Sequence, residues 1–141
     1  MKNLKFHHLG IVTRDINRYL SNYPQADHSV ITKDNEQSAL ITFLKTGSDT
    51  LIELIQPINS SSQTYSFSLS GGGYHHVCFQ IDSLEKVNDL IKKNKLLQVS
   101  KPVSAVAMGG IEIIFCFTRD KQLFEFAISS DEIQINWKTK S

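Results

Sequence analysis

The stretch Tyr74-His75-His76-Val77-Cys78-Phe79-Gln80-Ile81 has a counterpart 68 positions earlier, Phe6-His7-His8-Leu9-Gly10-Ile11-Val12-Thr13. Aromatic, His, His, aliphatic, small and apolar residues follow one another in the same order. An internal repeat constrains a chain more than any single motif, because the fold must accommodate the same unit twice. Each copy alternates at strand period, so Leu9 and Ile11, or Val77 and Phe79, share one face. His8, Gly10 and Val12, or His76, Cys78 and Gln80, share the other. The first face needs a helix to cover it; the second is small and polar and carries one imidazole in each copy.

The residues after each copy repeat the plan. In the first half Asp15 opens a short helix with Ile16, Tyr19 and Leu20 on one side, stopped by Pro24. Strands follow near residues 28–32, 39–44 and 51–56, separated by Lys33-Asp34-Asn35 and Gly47-Ser48-Asp49. In the second half Asp82-Ser83-Leu84-Glu85 reads as a capping box with Asp82 as the acceptor, and the helix continues to about Asn94. Its Leu84, Val87, Leu90 and Ile91 recur at the three-and-four spacing that buries one face. Strands at 97–99, 112–118 and 123–128 complete the half. The prediction is an α+β fold of two tandem β-α-β-β-β modules, about 5–58 and 73–128, in one domain spanning 1–141. A linker containing Tyr65, Phe67 and Leu69 joins the modules. The polar tail 129–141 packs either as an added edge strand or as a partner contact.

The last strand of each half places one carboxylate among apolar neighbours, in Leu51-Ile52-Glu53-Leu54-Ile55 and Leu123-Phe124-Glu125-Phe126-Ala127. An unpaired carboxylate taken out of water costs several kcal/mol, so such a residue must be solvated, neutralised or paired with a cation. Alternation turns Ile52, Leu54, Phe124 and Phe126 toward the helices, and Glu53 and Glu125 toward the face that carries His8 and His76. Two His and two Glu converging from four strands suit a divalent ion such as Zn, Co, Ni, Mn or Fe(II). A lone strand His or Glu is more often structural, but matching types at matching phases in both halves favour a shared site. His7 and His75, in the opposite phase, are expected to pack on the helix side or to support the ligands from behind. Cys78, whose first-half counterpart is Gly10, reads as a small apolar liner.

Fifteen basic and 14 acidic residues, for a formal net charge of +1, give no electrostatic reason to expect nucleic acid or an anionic membrane as partner. No apolar run approaches the length of a membrane span, and His7, His8 and Arg14 stand where a secretory apolar segment would lie. The expectation is a cytoplasmic protein with two buried free thiols, Cys78 and Cys116.

The paired modules resemble the vicinal-oxygen-chelate superfamily. The resemblance rests on His8-Leu9-Gly10-Ile11, on Ile52-Glu53-Leu54-Ile55-Gln56-Pro57 at the close of the first half, and on Gly72-Gly73-Tyr74-His75-His76-Val77 opening the second. Within the superfamily they are most similar to methylmalonyl-CoA epimerases. The resemblance implies eight strands curled into a cup-shaped, half-open barrel, with His8, Glu53, His76 and Glu125 as metal ligands and Co, Ni, Zn or Mn as the ion. In epimerases the position of Glu53 is often Gln, and glyoxalase I carries His or Gln, Glu, His and Glu. Asn35-Glu36-Gln37-Ser38 resembles the epimerases' Glu-Gln-Gly loop, with Ser38 in place of Gly, which makes Glu36 the implied acid/base residue. A homodimer and a small-molecule substrate such as an acyl-CoA thioester are implied as well.

A divalent ion on the cup floor can bind two substrate oxygens and stabilise the charge that develops when the neighbouring carbon loses a proton. Glu36 is the first candidate for that proton transfer and Glu53 the second, since a ligand carboxylate can swing off the metal. The leading expectation is a metal-dependent epimerase or isomerase. The alternatives are a glyoxalase I-type lyase acting on a glutathione hemithioacetal and a non-catalytic, drug-resistance-type binder; the intact quartet speaks against the binder, which has no need of four costly groups.

Overall fold

The computed structural model describes residues 4–138. The first half comprises β1 (Lys5–Val12), α1 (Ile16–Leu20), β2 (Asp27–His28), β3 (Thr32–Asp34), β4 (Ala39–Lys45) and β5 (Leu51–Pro57). A short helix, α2 (Tyr65–Leu69), lies in the connection. The second half follows with β6 (Gly73–Ile81), α3 (Leu84–Asn94), β7 (Leu97–Gln98), β8 (Val103–Ala105), a 3₁₀ turn (Val106–Met108), β9 (Ile111–Phe117) and β10 (Leu123–Ile128). Both modules thus follow the expected order. The eight expected strands become ten among the described residues, because the second strand of each module is broken in two.

All ten belong to one mixed sheet ordered β2-β4-β5-β1-β6-β10-β9-β7, with β3 also on β4 and β8 also on β9. β1 and β6 form an antiparallel seam between the modules, and each is flanked by the last strand of its own module in parallel, β5 beside β1 and β10 beside β6. The sheet curls without closing. Its concave side is lined by Val12, Ala39, Ile41, Ile55, Cys78, Ile113 and Ala127, among others. Its convex side in the second module carries Ile81, Ile114, Cys116 and Phe126, with Val87, Leu90 and Ile91 of α3 packed on them. Complete burial of Val87 is worth about 1.5–3 kcal/mol, and this face rather than intrinsic propensity holds the helix.

Several local expectations are corrected. Ser83, not Asp82, caps α3, its hydroxyl accepting from the Lys86 amide, while Asp82 pairs with the Lys86 ammonium at 2.8 Å. Leu84 stays exposed in the first turn, and Val87 takes the central buried position. The linker folds back as α2 on β5, and β8 with the 3₁₀ turn occupies a stretch read as a connection.

The tail resolves as an edge element of its own chain. Trp137 bridges antiparallel to Ser29, the Val30 amide donates to Asn136, and the Lys138 amide donates to His28. Ile133 is buried in the concave cluster. Residues 139–141 of the tail lie outside the described residues.

Candidate metal centre

The seam between β1 and β6 is irregular in a symmetric way. Phe6 pairs with Phe79 and His8 with Cys78, so His7 is an extra residue in β1; Gly10 pairs with His76 and Ile11 with Tyr74, so His75 is an extra residue in β6. Each is a β-bulge, a device that re-aims side chains. Of the two places expected for His7 and His75, the helix side or behind His8 and His76, the bulges select the second. Each turns against its neighbour, with Nδ1 of His7 2.7 Å from Nδ1 of His8 and Nδ1 of His75 2.9 Å from Nδ1 of His76. With His7 and His75 as the acceptors, this contact keeps a proton on Nδ1 of His8 and of His76 and turns Nε2 of each toward the other three side chains, the usual way a supporting group orients a metal-binding imidazole.

The expected quartet converges. Nε2 of His8 lies 3.1 Å from Oε1 of Glu125 and 3.6 Å from Oε1 of Glu53. Nε2 of His76 lies 3.3 Å from both carboxylates, and the two Nε2 atoms are 3.3 Å apart. All four side chains are buried, Glu125 to 1% and Glu53 to 4% exposure. Despite this crowding, Oε1 of Glu125 has no aligned hydrogen-bond partner among the described residues. Four tetrahedral donors at about 2.0–2.1 Å from an ion stand about 3.3 Å apart, which the observed spacings match. The residues present therefore fit a divalent ion.

Burial opposes charge on every member of the quartet, and mutual attraction outweighs it. His76 is raised to about 10 by the Glu125 charge against its burial, and His8 is raised by the two carboxylates in the same way. Glu53 and Glu125 are held below the usual carboxylate range by the two imidazoles, again against burial. Without a cation the centre is two imidazolium–carboxylate pairs. His7 and His75 go the other way, lowered to about 4 by burial and then by the adjacent His, which leaves them neutral acceptors. Cys78 is fully buried and its thiol is pushed well up, in keeping with a lining role.

A cavity of about 390 Å³ reaches His76 and His75 from one side. Ile55, Val103, Phe115, Phe117 and Leu123 supply its apolar wall, and Glu36 stands on it as an exposed residue. The turn that carries Glu36 is anchored by buried Asp34, whose carboxylate accepts from the amide and the side chain of Gln37. Ser38 closes this turn at φ 50°, the left-handed region where Gly is favoured.

Other supporting residues went unnoticed in the sequence. Phe43 and Phe115 meet the ligand rings edge to face, at centroid distances of 5.2 Å from His8 and 5.4 Å from His76. The Phe43 amide donates to the Ser29 hydroxyl and the Phe115 amide to the Ser100 hydroxyl, both at 2.8 Å. These serines sit where each module's second strand breaks. Ser29 and Ser100 are 71 positions apart, and Phe43 and Phe115 are 72 apart, the offset that also separates Glu53 from Glu125. That shared offset was the signal available.

Paired β-α-β-β-β modules joined at such a seam, with two His and two Glu gathered there, define a vicinal-oxygen-chelate fold. The chain belongs to the glyoxalase/bleomycin resistance protein/dioxygenase superfamily, which it matches over residues 7–115. Among curated relatives, the mitochondrial methylmalonyl-CoA epimerase of Mus musculus is 26% identical over 121 residues, covering 82% of this chain and 67% of the relative. That of Homo sapiens is 25% identical, covering 82% and 68%. Among solved structures, methylmalonyl-CoA epimerase from Mycobacterium tuberculosis superposes with a TM-score of 0.75 at 18% identity, covering 90% of this chain and 89% of that one. A variant of the Streptomyces coelicolor epimerase in complex with 2-nitronate-propionyl-CoA gives 0.73 at 20%, covering 90% and 98%. Among the described residues no helix is long and apolar enough to cross a membrane.

Proposed function

We propose that this protein is a divalent-metal-dependent epimerase or isomerase, acting as the methylmalonyl-CoA epimerases do by moving a proton on the carbon beside a chelated carbonyl. The observation that carries the reading is the convergence of four buried donors, one of which, His76, lines a cavity that Glu36 borders. His8, Glu53, His76 and Glu125 hold the ion, which is Co, Ni, Zn or Mn. When bound, it supplies a Lewis acid for the charge that develops on the substrate oxygens.

The chain's own groups do the rest. Apolar Ile55, Val103, Phe115, Phe117 and Leu123 exclude water and hold the substrate's carbon skeleton. Glu36 takes the proton from the carbon, with Glu53 the second group able to do so, and epimerisation is completed when the other of the two returns a proton to the opposite face. Phe43 and Phe115 hold the ligand rings in place from the side, and His7 and His75 fix the tautomers from behind. The substrate is a small molecule with a carbonyl beside an acidic C–H, such as an acyl thioester. Residues 5–58 and 73–128 act as one domain, in a homodimer located in the cytoplasm.

Glu53 supports a second reading. A carboxylate where epimerases often carry an amide is also the ligand set of glyoxalase I, so a lyase on a neutral thiol adduct follows from the same site. The deciding test is solvent-deuterium exchange by metal-loaded protein against thioesters, both methylmalonyl and neutral α-hydroxy acyl, and against glutathione hemithioacetals. Deuterium appearing at the α-carbon of a recovered thioester supports the epimerase, and conversion of the hemithioacetal to a thioester supports the lyase. Loss of both would overturn the enzymatic reading.

A further inference from the structure

The charge of the site restricts what can bind in it. As metal ligands, Glu53 and Glu125 are ionised and His8 and His76 neutral, so two carboxylates cancel a divalent ion completely. Both carboxylates are almost wholly buried, so water does little to soften this balance. The cavity that reaches the centre at His76 adds no positive charge: it is lined by no lysine or arginine among the described residues, and its one carboxylate is that of Glu36. Its remaining polar groups are uncharged hydroxyls and amides, including those of Gln37, Gln63, Ser62 and Thr64. A substrate carboxylate entering here would bring the centre to net negative charge with no cation to answer it.

We propose that the substrate's chelating end carries no formal charge, an α-hydroxycarbonyl or similar neutral oxygen pair, and that Glu53 is the residue that excludes carboxylate-bearing substrates. This rests on the quartet being the metal site described above. It separates the chain in substrate, though not in chemistry, from enzymes whose substrate brings a carboxylate to the ion. Replacing Glu53 with Gln raises the charge of the occupied site by one unit while retaining an oxygen donor, and Glu36→Gln makes the same change at the cavity wall without touching the ligand set.

Glycolate and glycolamide form a matched pair of probes, alike in shape and oxygen placement and different by one charge. The Co(II)-loaded protein, its Co(II) content fixed by elemental analysis, is titrated with each and followed by visible absorption, with aqueous Co(II) as reference. The parent protein is expected to shift the affinity ratio toward glycolamide by about tenfold or more relative to aqueous Co(II), the scale of one poorly screened unit charge. Glu53→Gln should return most of that shift by improving glycolate binding, and Glu36→Gln a smaller part. A parent ratio equal to that of aqueous Co(II) overturns the proposal, as does a Glu53→Gln effect equal on both probes. Should Glu53→Gln fail to hold Co(II), the parent ratio and Glu36→Gln still decide. A parent that takes up no Co(II) overturns both this proposal and the metal reading beneath it. A parent that binds Co(II) but exchanges the α-proton of a methylmalonyl thioester faster than that of a neutral α-hydroxy thioester overturns this proposal alone.

Discussion

Gly10 faces His76 across the β1–β6 seam so closely that a Cβ placed on Gly10 would lie 2.2 Å from Cε1 of the imidazole. His8 stands opposite Cys78 in the matching register. The His76 ring lies over the position two places beyond His8, which is why the chain carries Gly there.

Gly10→Ala should therefore push the His76 ring off its position. The expected outcome is a loss of metal affinity of about tenfold or more, with a stability cost of about 1–3 kcal/mol from overpacking. Calorimetric titration with Zn(II) and denaturant unfolding check the two parts separately. Unchanged affinity would mean that the ring has room the seam does not show.

His75→Phe and His7→Phe remove the acceptors that hold the ligand tautomers. Each should lower metal affinity by about 10–100-fold while the far-ultraviolet circular dichroism is retained. Equal affinity in parent and variants would show that the paired Nδ1 atoms do not fix the ligands.

In the metal-free protein the raised His76 contributes stability that is complete below its ordinary value of 6.5 and is lost as pH rises through about 10. The lowered Glu53 contributes stability that is present above its ordinary value of 4.5 and is lost as pH falls toward its folded value. His7 and His75, lowered to about 4, work against this below 6.5, because they protonate in the unfolded chain before they do in the folded one. Metal-free stability should therefore peak near pH 6.5 and fall on both sides, measured as melting temperature against pH. Metal binding replaces the protons on the two imidazoles, so uptake near pH 7 should release about two protons per ion, read by pH-stat titration. A release near zero would show that His8 and His76 were neutral beforehand.

Glu36→Gln should leave metal content unchanged and lower α-proton exchange by about 10²-fold or more, the scale of a positioned base. Glu53→Gln should act on the ion first. If Glu36→Gln exchanges at the parent rate while Glu53→Gln keeps its metal and loses exchange, Glu53 is the base.

Ser38→Gly relieves a left-handed backbone position and should stabilise the fold by about 1 kcal/mol, seen as a higher denaturant midpoint at equal slope. A loss of stability would place the Ser38 hydroxyl, which lies 3.3 Å from that of Ser61, above the backbone cost.

The quartet was legible in the sequence because it depends on two things that residues display: a repeat, and charge in an apolar strand. His8, Glu53, His76 and Glu125 follow from alternation alone, given the four strands. His7 and His75 did not, because a one-residue bulge is invisible to a period-2 pattern and reverses the face of the residue it inserts. The cap of α3 was misplaced by one position because Asp82 and Ser83 are both good acceptors, and the ion pair with Lys86 took Asp82 out of the role. β8 and α2 are short segments whose order comes from what they pack on, and their own residues announce neither. Phe43 and Phe115 looked like ordinary core because nothing local marks a ring that leans on a ligand.

Each module carries one His and one Glu, and the two pairs meet at a seam whose partners are separated in sequence by more than a module's length. The first half, made first, holds only two of the four donors. Under the proposed metal reading, capture by all four donors has to wait until the second half has been made and docked, so metal uptake would report that the two halves of a chain have met in register.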